Sequence, residues 1–265
     1  MLEPRETWQV AADGCPTALH LSSNLHGEVF FDSASVQSVS NRAPNAPSAC
    51  GSKLDGSALA FGPNGRVYRA STLLSRLPEG TRIKDFVVRN DGDVYATAEA
   101  ANGTGQLWRL RPNGEQQLVD AGLKAPSGIA FSPDGLWLFV AQQDSRFGMS
   151  YRVRADGQLD AREPFYDLYV PAWADESGAE QVAMDKEGRA YVATRMGVQV
   201  FDRNGRVTAI LPLPRNKPAT GLCFGGRDFN TLYVASDGKI FKRKLRIAGS
   251  PSWSPPLVLP PWGAG

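Results

Sequence analysis

One pattern constrains this chain more than any other: a short apolar run, a glycine-bearing turn, then a second apolar or aromatic run. It recurs at 58–70, 86–97, 128–141 and 182–194, with a longer turn at 221–235 and a weaker first copy at 18–31. The turns at Gly27, Gly65, Gly92, Gly135, Gly188 and Asp228 fall on average about every 40 residues, the period of propellers and solenoids. Asn-Gly and Asp-Gly between such runs predict hairpins, since a type I′ turn needs positive φ at both central residues. A second class of hairpin, at 107–119, 151–157 and 198–210, alternates apolar and polar residues, as strands with one wet face do. The first class is more continuously apolar, as buried inner strands are. Two hairpins per period make four strands, or one propeller blade with its buried hairpin nearest the channel.

No stretch carries helical periodicity with caps, which disfavours an α-solenoid, and a seven-bladed array would need roughly 300 residues and a Trp-Asp signature that is missing. The expectation is therefore an all-β, six-bladed β-propeller with four antiparallel strands per blade, one domain over 1–265, whether complete or excised from a longer chain. Pairing of the terminal strands, 7–10 beside 257–259, would close the ring. Segments 41–52 and 169–177 read as loops on its faces.

Composition narrows the partners. Twenty-nine basic and 27 acidic residues leave a net charge of +2, far from a nucleic-acid polycation. Lys242-Arg243-Lys244, flanked by Phe241 and Leu245, reads as a solvated edge strand rather than a phosphate patch. The longest apolar run, from Leu136 to Ala141, is far short of the roughly 18 residues that cross a bilayer, so neither nucleic acid nor membrane is expected as a partner. The compartment stays open between the cytoplasm and the mature or excised part of an exported protein. Of the three cysteines, Cys223 reads as core, while Cys15 and Cys50 either bridge in an oxidising compartment or remain thiols. His20 and His26 make no zinc spacing, and no Gly-x-Ser-x-Gly or phosphate-loop pattern occurs.

Four stretches carry a resemblance: Pro126-Ser-Gly-Ile-Ala-Phe-Ser-Pro-Asp-Gly135, Asp185-Lys-Glu-Gly-Arg-Ala-Tyr-Val-Ala-Thr194, Gly197-Val-Gln-Val-Phe-Asp and Cys223-Phe-Gly-Gly-Arg-Asp-Phe-Asn-Thr-Leu-Tyr-Val234. They resemble the senescence-marker-protein/gluconolactonase, or regucalcin-like, family, most strongly over 120–245. The resemblance implies a six-bladed propeller with a calcium-type divalent metal at the channel mouth and hydrolysis of sugar lactones or related esters. It implies one ligand from each of several blades: Glu before Gly-Pro, two Asn, and an Asp. Mapped here, the carboxylate is kept as Glu180, one Asn is Ser127, the other is Lys84 within Arg82-Ile83-Lys84-Asp85, and the first-blade Glu is Gly14. A register slipped by one residue would present Asp13 instead. Glu180, with Ser127, is thus what remains of a metal site.

Calcium takes six to eight oxygens, usually with several carboxylates. One carboxylate beside a lysine predicts a steep loss of affinity and a Lys84–Glu180 ion pair in the ion's place. Opposite charges about 4 Å apart attract by about 4 kcal/mol at an effective dielectric near 20. Two functional readings follow. In the first, Glu180 or Asp85 is the catalytic base that deprotonates water, while Arg82 and Lys84 bind the substrate and stabilise the lactone oxyanion, with Ser127 as a hydrogen-bonding wall. In the second, the propeller binds a carbohydrate or a protein partner without turnover. Asp85 is equally well read as a loop cap and Arg82 as an ordinary ion-pair member. Asp185 reads as structural, and Trp108 and Trp137 as packing between blades.

Overall fold

A computed structural model describes residues 7–15, 20–31, 48–49 and 58–258. In chain order the strands are β1 (Gln9–Asp13), β2 (Leu21–Ser23), β3 (Val29–Phe31), β4 (Ser48–Ala49), β5 (Leu59–Phe61) and β6 (Val67–Arg69), followed by a short helix α1 (Ala70–Leu74). Next come β7 (Arg82–Val88), β8 (Val94–Glu99), β9 (Gly105–Leu110), β10 (Gln116–Leu123), β11 (Pro126–Phe131), β12 (Trp137–Gln142), β13 (Phe147–Val153) and β14 (Leu159–Asp167). The last are β15 (Val182–Met184), β16 (Ala190–Thr194), β17 (Gly197–Phe201), β18 (Val207–Leu211), β19 (Gly221–Gly225), β20 (Thr231–Ser236) and β21 (Lys239–Lys244).

These form three four-stranded antiparallel meanders, β7–β10, β11–β14 and β15–β18. A five-stranded sheet has the order β19-β20-β21-β1-β4, and two ribbons are β2–β3 and β5–β6. The first strands touch in the cyclic order β2, β5, β7, β11, β15, β19 and back to β2. The architecture is an all-β propeller. Four strands per blade holds for the meanders and is exceeded in the last sheet; the two ribbons show two strands each among the described residues.

Packing explains the sequence pattern. The core lies between neighbouring sheets rather than at the centre of the ring. Val87, Tyr95 and Leu107 of one sheet meet Ile129, Phe131, Leu138 and Val140 of the next, and Tyr191, Val198 and Val200 meet Leu222, Phe224 and Val234 likewise. An inner strand is therefore covered on both faces, and β11 is buried at all six positions. Each such Leu, Val or Phe contributes roughly 1.5–3 kcal/mol on burial.

The hairpin turns differ in type from expectation. Asn64-Gly65, at 58° and 75°, and Asp237-Gly238, at 49° and 72°, have positive φ at both residues. At Gly92 and Gly135 the glycine alone is left-handed, and the preceding Asp91 or Asp134 carboxylate accepts the N–H two residues onward. That is a type I turn ending in a left-handed glycine, a commoner partner of longer hairpins.

The ring's seam also differs. Strand β1 pairs antiparallel with β21, Gln9 opposite Lys242 and Asp13 opposite Lys239, and β4 adds in parallel on its other side. Leu257 and Val258 lie outside any strand, Leu259 lies outside the described residues, and β21 with its Lys242–Arg243–Lys244 run is interior to a sheet rather than an edge. Ser48–Ala49, expected in a loop, is a strand; the rest of 41–52 lies outside the described residues. Segment 169–177 is a loop, as expected.

The last described residues cross the far face of the ring instead. Gly249 N–H donates to the Phe229 carbonyl at 2.8 Å, Ser250 N–H to Met184 at 2.8 Å and Leu257 N–H to Pro133 at 2.7 Å. Trp253 packs on Phe30, Leu59 and Phe61. Trp108 is buried between sheets, whereas Trp137 is 44% exposed and is not inter-blade packing. Cys15 is disulfide-bonded and Cys223 is a buried free thiol; Cys50 lies outside the described residues.

Candidate functional site

Every inner strand starts at the same end of the channel, so the residues around those starts converge on one mouth. Just inside it is a cavity of about 130 Å³ lined by His20, Asp85 and Gln181, with Ser250, Pro251, Ser252 and Trp253 closing the far end. The channel is a well with a floor.

Glu180 stands at the rim, one residue before Gln181 and two before β15. Its own N–H donates to the Ala193 carbonyl at 2.8 Å and its carbonyl accepts the Gly128 N–H at 3.1 Å. Gly128 is required there: a Cβ would sit 2.3 Å from that carbonyl oxygen. The carboxylate accepts one hydrogen bond, from Gln143 Nε2 at 2.6 Å, where Gln143 follows β12. Burial pushes the Glu180 carboxyl up to about 7, and the nearby Asp85 charge adds to this; the Gln143 hydrogen bond and the Lys84 charge pull the other way. Loss of hydration outweighs them because a half-buried anion with a single donor is poorly solvated.

Asp85 is 5% exposed. His20 Nε2 lies 2.5 Å from its Oδ1, the Phe86 N–H donates to the same oxygen at 2.7 Å, and the Ile129 N–H reaches Oδ2 at 3.2 Å. It therefore does more than cap a loop, tying three sheets at one carboxylate. Ser127 is buried, and its hydroxyl donates to the Ala179 carbonyl at 2.6 Å. Thr97 Oγ1 donates to the Ser127 carbonyl at 2.5 Å.

The expected Lys84–Glu180 ion pair is not formed. Lys84 Nζ lies 2.7 Å from Glu99 Oε2, and Arg82 pairs with the other oxygen of Glu99. Glu99 is opposite Arg82 across the β7–β8 ladder, so it is the nearer anion, and two cations hold its carboxyl below the usual range. Asp13, the alternative first-blade ligand, pairs with Lys239 and also accepts the Gly14 N–H at 2.7 Å. Asp185 is fully buried in the far turn, bonded to Arg189, Tyr191 and the Glu187 N–H; it is structural.

This donor set does not suit a calcium-type ion. Among the described residues no three His, Cys, Asp or Glu side chains gather around one point. Ser127 spends its proton on a carbonyl, Asp85 is already engaged by His20 and two backbone N–H groups, and Lys84 brings positive charge to the rim.

The sequence candidates Glu180, Asp85, Ser127, Arg82 and Lys84 lie in or beside the starts of the inner strands β7, β11 and β15, with Asp85 lining the channel cavity and Arg82 and Lys84 turned to Glu99. Sequence reasoning missed His20, Gln143 and Gln181. Gln181 is 8% exposed; its amide Nε2 donates to the Leu21 carbonyl at 2.8 Å, and its Oε1 accepts the N–H groups of Leu21 at 2.8 Å and Leu222 at 3.0 Å. A buried-type position at a strand start filled by Gln was the available signal. A larger cavity of about 620 Å³, lined by Trp137, Phe165, Tyr166 and Leu257, lies on the far side and holds none of these groups.

The family model described as SMP-30/Gluconolactonase/LRE-like region matches residues 31–238. The chain is 28% identical over 194 residues to the pentonolactonase XacC of Haloferax volcanii, covering 69% of this chain and 65% of that protein. The chain spans less than two thirds of the length of the curated relatives it matches. Among solved structures it is similar to the gluconolactonase XC5397 of Xanthomonas campestris, with a TM-score of 0.69, 19% identity and coverage of 91% and 90%. It is also similar to a calcium-binding regucalcin from Agrobacterium tumefaciens, with a TM-score of 0.63, 20% identity and coverage of 96% and 98%.

Proposed function

Because this chain belongs to the SMP-30/gluconolactonase/LRE-like family, we propose that it hydrolyses a cyclic ester of a sugar acid at the mouth of its channel. The observation that carries the reading is Glu180, a rim carboxylate held near neutrality by burial. A general base works best with a pKa close to the working pH. Water beside Glu180 loses its proton to the carboxylate as its oxygen attacks the lactone carbonyl. Collapse of the tetrahedral intermediate breaks the ring C–O bond, and the proton returns from Glu180 to the leaving alkoxide. Lys84, with Arg82 outside it, supplies the positive potential that favours the oxyanion. Asp85, engaged by His20 and two backbone N–H groups, acts by holding His20 and by raising the proton affinity of Glu180. Ser127 walls the site and fixes the Ala179 carbonyl beside it.

Counting each ribbon as a blade makes the ring six-bladed, and we read 1–265 as one domain. A titrimetric assay on a panel of aldonolactones tests the function: turnover in the wild type that falls about 100-fold or more in Glu180→Gln is the expected result. Saturable binding of lactone with no turnover in the wild type would instead support the carbohydrate-binding reading.

A further inference from the structure

The polar groups beneath the rim form a girdle that crosses sheet boundaries. Gln181 joins the start of β15 to Leu21 of β2 and Leu222 of β19. His20, next to β2, is tied to Asp85 of β7, and Asp85 to Ile129 of β11. Thr97 of β8 reaches Ser127 of β11, and Ser127 reaches Ala179 ahead of β15. Gly128 and Gln143 then both hold Glu180. Five of the six sheets are joined at one level of the channel by direct protein hydrogen bonds, all but the His20–Asp85 pair and the bonds to Asp85 and Glu180 between uncharged partners.

An ion at a channel mouth would bridge the same strand starts by drawing their oxygens inward. Here those oxygens already have partners: Ser127 Oγ is bound to Ala179, Gln181 Oε1 takes two N–H groups, and Asp85 takes three contacts. Lys84 stands at the remaining ligand position, paired with Glu99, and its positive charge still reaches Glu180.

We propose that this chain holds and works its channel mouth without a divalent cation: the girdle ties the blades together, and the Lys84 ammonium is the fixed cation of the site. The second half rests on the lactone-hydrolase reading; the first does not.

The test uses the full chain, purified without chelator. Elemental analysis is expected to find no stoichiometric calcium, zinc or manganese, and titration with calcium alone should give no saturable heat. Excess EDTA should leave the melting temperature and any lactone turnover unchanged. One tightly held metal per chain, or a melting temperature that drops on chelation, would overturn the girdle's sufficiency. The double variant Lys84→Asn with Ser127→Asn asks whether these two residues are what excludes the ion. Saturating calcium should raise its melting temperature by roughly 5 °C, as a ligand at about 100 times its Kd does for a domain of this size. A correctly folded double variant indifferent to calcium would overturn that assignment. Absence of lactone turnover under every condition would remove the hydrolase reading while the metal and melting results still decide the girdle.

Discussion

Glu180 makes opposite demands on activity and stability. Its folded-state carboxyl titrates near 7, above the ordinary 4.5, so the folded chain holds that proton more tightly than the unfolded one. Its contribution to stability is therefore greatest below the unfolded value and is lost as pH rises from 4.5 through about 7. Catalysis runs the other way, because only the ionised carboxylate accepts a proton, so the rate should climb through about 7 and then level. Glu180→Gln should abolish the rate while gaining about 2 kcal/mol relative to wild type between acid and mildly alkaline pH, after discounting for partial exposure; urea melts at several pH values would show the two stability curves diverging. Gln181→Leu should do the reverse, costing about 3 kcal/mol because two backbone N–H groups and a carbonyl lose their buried partner. How much of the site was legible depended on whether a residue's role is local. Glu180 and Ser127 could be placed because the family resemblance marks positions just ahead of the inner strands. His20 and Gln181 could not, since their partners lie 65 and 160 residues away in sequence, and no local pattern encodes a contact across a ring.

At the scale of strands and turns, the regular spacing of hairpin glycines made the meanders readable, because each turn needs a left-handed residue at one fixed place. The ends were not readable: β1 is a short strand whose partner is fixed by ring closure, and no periodicity distinguishes 239–244 from 257–259 as that partner. Two substitutions probe how elements set the site. Gly128→Ala would drive β11 away from the start of β15, and it should lower both stability and turnover by moving Glu180; thermal melts beside the lactone assay would show the paired loss. Arg109 is a different kind of tie. It is 4% exposed, with Nε 2.7 Å from Asp93 Oδ2 and its Nη2 donating to the Asp156 carbonyl of the next sheet's turn. Arg109→Ala should cost about 3–5 kcal/mol, since it strands a buried carboxylate. Lying at the far turns, it should leave KM for any lactone substrate unchanged in the fraction that folds, which initial-rate kinetics would reveal.

The whole molecule is a ring with a floor, and its cohesion is distributed among inter-sheet seams rather than a single centre. Trp253 fastens the floor to Phe30, Leu59 and Phe61, and Trp253→Ala should cost about 2–3 kcal/mol and loosen the channel from below; hydrogen exchange at Met184 and Pro133 contacts would report the loosening as faster exchange of the Ser250 and Leu257 amides. The seam formed by β1 and β21 has a further consequence, in the order of synthesis. Strand β1 must wait after leaving the ribosome for a partner more than two hundred residues on; at about 5–20 residues per second that is on the order of ten seconds or more. Through that interval β1 presents unsatisfied edge groups, Val10 among them, to whatever else is nearby. Ring closure is thus a timing problem as well as a packing one, and a nascent chain paused before residue 239 should be the form most open to proteases and to pairing with its own copies.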